Sequence, residues 1–160
     1  MIARALILVG LLASLGLVGW EVSKKERLLS TGDAVLLELA PVDPRSLMQG
    51  DYMSLDYEIS RRVEADRTWS RDGAVVVRND DRGVARFVRR DDGQPLQKGE
   101  HRLTYRRRGT NVRVGTDAFY FQEGTAGVYA TARFGELRVA ADGTAVLVGL
   151  RDANLAALGR

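Results

Sequence analysis

Nucleophilic chemistry in this chain is bounded by one histidine, His101, and three lysines, Lys24, Lys25 and Lys98. A Ser-His-Asp arrangement must use the first, and a Ser-Lys dyad needs an amine desolvated within reach of a hydroxyl. Two of the lysines adjoin the apolar N-terminal run, so only Lys98, in the turn-like PLQKGE, is available to Ser46. His101 stands at the start of a strand (GEHR), where a lone exposed or edge histidine is expected. No cysteine is present, which excludes disulfides, thiolate catalysis and cysteine-bound metals, and one histidine makes no zinc set. Asp43, Asp51, Asp56, Glu58 and Glu123 are the carboxylates suited in type to a Ca²⁺ or Mg²⁺ site or an acid/base pair. Alternation puts Asp56 and Glu58 on the polar face of a strand. Asp43 and Asp51 suit turns, and Arg45 between them suits an Arg–carboxylate latch. The glycines do not form a phosphate loop. No catalytic residue, metal or cofactor is assigned.

The most patterned passage is PVDPRSLMQGDYMSLDYEI, residues 41–59. Pro44 holds Asp43 extended and Gly50 suits a positive φ, so the loop leads tightly into a strand. Along that strand Met53, Leu55, Tyr57 and Ile59 share one face. Gly50-Asp51-Tyr52-x-x-Leu55-x-Tyr57 resembles the signature of the bacterial GDYXXLXY family of membrane-anchored proteins, which has no established activity. The likeness extends to the Pro-Val-Asp-Pro-Arg-Ser lead-in, to Phe121-Gln-Glu123-Gly124, and to Tyr129, Ala132-Arg133 and Gly135-Glu136-Leu137. It implies Asp43, Pro44, Arg45, Gly50, Asp51, Tyr52, Leu55, Tyr57, Glu123 and Gly124 as motif or binding residues. Its genes tend to neighbour those of polytopic membrane proteins, which implies a membrane-protein partner. Ser46 to Asp51 is also similar to the end of the signal-peptidase motif. Aligned on Leu47 and Gly50-Asp51, however, that motif's nucleophile falls on Val42, which cannot attack a carbonyl.

These residues must be positioned by short strands. Strand-like runs fall at 34–39, 52–59, 74–78, 83–89, 101–107, 111–114, 118–122, 136–139 and 144–150, with turns at Asn79 to Gly83, Asp91-Asp92-Gly93, Gly109-Thr110 and Asp142-Gly143. Residues 60–70 and 124–133 read as short helices. Phe119, Tyr120, Phe121 and Tyr129 are expected to pack the sheet. The predicted class is α+β, predominantly antiparallel β, a small barrel or sandwich with an N-terminal transmembrane helix and one or two short helices.

Residues 5–20, ALILVGLLASLGLVGW, carry no charge, and Arg4 and Trp20 suit interfacial depths. An uncleaved signal anchor is expected, with a cleaved signal peptide as the rival. The division is an anchor and juxtamembrane helix over 1–31 and a mostly β domain over 32–160. The 160 residues carry a formal +3, but residues 29–160 hold 20 basic and 19 acidic side chains. The excess belongs to the anchor's flank and argues against a nucleic-acid partner. Arg106-Arg107-Arg108 reads as a charged hairpin tip. The expectation is a single-pass protein of a bacterial inner membrane with a periplasmic C-terminal domain, an accessory binding a membrane-protein partner. The alternatives are a membrane-tethered hydrolase or processing enzyme using Ser46 or Asp51, and a small-ligand sensor lined by Tyr52, Tyr57 and Arg45.

Overall fold

Residues rich in helix formers and free of proline form α1, Ile2–Thr31, in the computed structural model. At ~1.5 Å per residue this helix is ~45 Å long. The structure describes residues 2–40, 48–49, 52–66 and 68–159, without the side chains of 2, 3, 5, 6, 8, 48 and 49. Most of α1 stands clear of the body: Ile7, Leu12, Leu17 and Trp20 are all 60% or more exposed, whereas Leu28 is buried. Gly32 N donates to Leu28 O at 2.9 Å and closes the last turn. Among the described residues no helix is long and apolar enough to cross a membrane. Ala5, Leu6 and Leu8 of the apolar run lie outside the described side chains.

The body is built from β1 (Asp33–Glu38), β2 (Met48–Gln49), β3 (Tyr52–Ser54), α2 (Glu58–Ala65), β4 (Asp72–Asn79), β5 (Ala85–Arg90), β6 (Glu100–Arg108), β7 (Asn111–Val114), β8 (Ala118–Tyr120), α3 (Ala126–Tyr129), β9 (Phe134–Val139) and β10 (Ala145–Arg151). They pair in the orders β1-β9-β10, β2-β3-β8 and β5-β4-β6-β7, with every ladder antiparallel. The fold is therefore α+β with antiparallel sheets dominant. Two links draw the larger sheets together. Leu36 bridges Val84, and Thr104 N donates to Gly143 O at 3.0 Å.

Period-2 alternation supplies the core. Val35 and Leu37 of β1, Val75 and Val77 of β4, Leu103 and Tyr105 of β6, and Leu137 and Val139 of β9 meet in one cluster. Polar register is fixed across three strands by Glu100, whose side chain is 1% exposed. Its carboxylate accepts from Arg78 at 3.0 Å and Arg89 at 2.8 Å, and from Gln97 N at 3.0 Å. The Gln97 hydrogen bond, then the Arg89 guanidinium, hold its pKa below the usual glutamate value.

Several sequence expectations are corrected. The strand expected over 52–59 stops at Ser54, and the helix expected over 60–70 runs from Glu58 to Ala65. The apolar positions Ile59 and Val63 fit both periods until a helical i,i+4 pair buries them together. The helix expected over 124–133 is one turn, Ala126–Tyr129. The strand expected over 118–122 ends at Tyr120. His101 is not an exposed edge residue: its side chain is 16% exposed, with Nδ1 3.3 Å from an Asp33 carboxylate oxygen.

Candidate functional site

Residues 52–57 hold together three parts of the chain that are distant in sequence. Tyr52, Met53 and Ser54 pair with Tyr120, Phe119 and Ala118 of β8. Leu55 N then donates to Asp117 O, and Ala40 N donates to Asp56 O, each at 2.8 Å. Tyr57 bridges Leu39, whose own N–H reaches Arg133 O at 2.9 Å. The signature strand thus joins the end of β1, the segment before β8 and the segment before β9.

Its side chains divide by face. Met53, Leu55 and Tyr57 are buried, as the alternation requires, and Ile59 is buried on the first turn of α2. Inside, Phe119 meets Tyr129 edge-on and Phe121 stacks on Tyr129, each pair with centroids 5.1 Å apart. Gly135 accommodates Tyr57: a β-carbon there would lie 3.0 Å from the ring's Cε1. The Tyr57 hydroxyl is buried with no hydrogen-bond partner among the described residues. Burial, reinforced by the Asp117 carboxylate, pushes its pKa well above the ordinary tyrosine value, so it stays a neutral phenol.

Tyr52 and Tyr120 form the outer face. They are cross-strand partners with ring centroids 5.7 Å apart, and they are 38% and 75% exposed. This corrects the expectation that Tyr120 packs the sheet. The signal was present in the sequence, since period 2 that turns Phe119 inward turns Tyr120 outward. It also breaks the expected sensor pocket, because Tyr57 is buried in the core while Tyr52 is exposed. Beside these residues, Leu39, Ala40, Leu55, Tyr129 and Arg133 line a cavity of only about 40 Å³, near the size of one water.

Of the other expected site residues, Glu123 and Gly124 lie exposed in the turn before α3 and are not joined to Tyr52 or Tyr57 by any hydrogen bond shown. Asp43, Pro44, Arg45, Ser46, Gly50 and Asp51 lie outside the described residues, and with them the expected latch and nucleophile. Asp56 pairs with Arg61 at 2.8 Å. Among the described residues no three His, Cys, Asp or Glu side chains cluster as a metal site.

The geometry defines a mostly antiparallel β domain on a long N-terminal helix, knit together by one short aromatic strand. Residues 14–150 match the GDYXXLXY protein family, and the chain belongs to it. That family has no known function. Neither a curated protein nor a solved structure matches the chain.

Proposed function

We propose that this protein is a membrane-anchored accessory that presents the Tyr52–Tyr120 face to a membrane-protein partner. The observation that carries the reading is the outward aromatic pair formed by Tyr52 of the signature strand and its cross-strand partner Tyr120 of β8. A strand pair whose only task was packing would not need two adjacent, exposed tyrosines. Exposed tyrosines also offer large contact area at low entropic cost in binding. The anchor reading draws on α1, whose apolar side chains around Trp20 find no protein cover. Lipid is the environment such side chains suit. On this reading the body lies outside the cytoplasm, with the short N-terminus inside.

Three measurements test it. The full chain stays with membranes through an alkaline carbonate wash, and release into the supernatant counts against the anchor. Alkaline phosphatase fused after Arg160 is active if the body is exported and inactive if it is not. Tyr52→Ser with Tyr120→Ser leaves folding intact, because both side chains point out, and abolishes detergent co-purification of the wild-type protein's partner. Unchanged co-purification rejects this face as the contact.

A further inference from the structure

Where the two larger sheets meet, the body carries an open groove of about 850 Å³. Three guanidiniums line it, Arg106 and Arg108 of β6 and Arg113 of β7, and Thr104 and Thr144 add hydroxyls. The β9–β10 turn forms one end. Helix α1 contacts β9 and β10, and the Lys24 charge acts on Asp142 in that turn. The same turn touches β6, where Gly143 O accepts both Thr104 N and Thr104 Oγ1 at 3.0 Å. Lys24 follows Trp20 by four residues, about 6 Å of helix. The β9–β10 region is thus shared by the groove and by the segment that leaves the membrane under the anchor reading.

Asp72 and Asp91 also line the groove and Asp117 pairs with Arg113, yet these acids leave part of the positive charge available. Asp91 is held by Arg102 through contacts of 2.5 and 3.3 Å, and that pairing keeps the Asp91 carboxyl ionised. Asp72 lies 3.5 Å from Arg106, and Asp117 lies 2.9 Å from Arg113. Each of the last two pairs is about half or more exposed on both sides, the kind of pair that contributes little and exchanges readily. Arg108 has no ion-pair partner among the described residues. A phosphate can accept from such guanidiniums bidentately at short range, whereas Asp72 reaches Arg106 only at 3.5 Å and both side chains stay exposed. An anionic bilayer concentrates phosphates within a Debye length of Lys24, Lys25 and Arg27.

We propose that this groove takes the phosphate of an anionic phospholipid headgroup from the bilayer that holds α1, orienting the body against the membrane. The proposal rests on the anchor reading above and does not involve the Tyr52–Tyr120 face.

The chain has no cysteine, so Thr110→Cys at the β6–β7 turn gives a single site for an environment-sensitive fluorophore. The full chain is placed in phosphatidylcholine nanodiscs, with or without about one-third phosphatidylglycerol. The expected result is an emission shift that requires phosphatidylglycerol and disappears at about 0.5 M salt. Arg108→Gln, at a side chain with no ion-pair partner among the described residues, raises the phosphatidylglycerol fraction needed for half the shift about fivefold. Changing Arg106 and Arg113 as well abolishes the shift. No lipid-dependent shift, or a full shift in Arg108→Gln, overturns the proposal. The same shift produced by inorganic phosphate on phosphatidylcholine discs replaces the lipid with a free anion and also overturns it. A chain that fails to co-elute with the discs defeats the anchor reading, and the lipid proposal falls with it. A chain that co-elutes while its label ignores the lipid defeats the groove alone.

Discussion

Tyr57 fills the core with its ring and brings a hydroxyl that has no partner among the described residues. A buried hydroxyl without a partner costs on the order of 1–3 kcal/mol of desolvation. Tyr57→Phe is therefore expected to raise stability by about 1 kcal/mol in urea denaturation of the detergent-solubilised protein. A loss instead would reveal a hydrogen bond that the present geometry does not contain. The burial of Met53, Leu55 and Tyr57 was legible in the sequence, because alternation along six residues is a local property. That Gly135 makes room for the ring was not, since 78 residues separate the two. Arg107 teaches the same lesson. In sequence it is one of three arginines at a charged tip. In the fold its guanidinium donates to the Val63 and Asp66 carbonyls at the end of α2, at 2.6 and 3.0 Å.

Among the elements, the β9–β10 turn carries more than reversal. Gly143 adopts φ +87°, and a β-carbon there would lie 3.0 Å from both Arg102 Cγ and Thr104 Cγ2. The turn thus presses on β6 while its carbonyl ties the sheets together. Gly93, at φ +82°, has open space around its Cβ position and isolates the purely conformational cost. Gly93→Ala is expected to cost about 1 kcal/mol, and Gly143→Ala about 2–3 kcal/mol, because crowding adds to the left-handed backbone penalty. Equal denaturation midpoints for the two variants would show that the turn does not brace β6. Both turns announce themselves in sequence as Asp-Gly signals, which is local chemistry. Nothing local distinguishes the bracing turn from the free one.

Over the whole molecule, acid stability should follow Glu100, which joins β4, β5 and β6 through Arg78 and Arg89. Its folded pKa lies below the unfolded value, so the stability it confers is complete above the unfolded glutamate pKa, about 4.3. It is lost as pH falls through the lower folded value. Asp91, with its pKa lowered first by the Arg102 hydrogen bond, adds the same sign. Thermal melts from pH 7 to 3 should therefore show a falling midpoint below about pH 4. Glu100→Gln should start lower at pH 7 and fall less steeply, and parallel curves would remove Glu100 from the acid response. By itself the sequence determined the α+β class, nearly every strand and turn of the body, the apolar N-terminal run and the family, because periodicity, turn chemistry and a short signature are properties of neighbours. Only the tertiary structure decided where β3 gives way to α2, that Tyr52 and Tyr120 stand side by side across β3 and β8, and that β6, β7 and the β9–β10 turn share one groove. These depend on ladders and contacts between residues tens of positions apart, and closing the sheets around a common core is what brings them together.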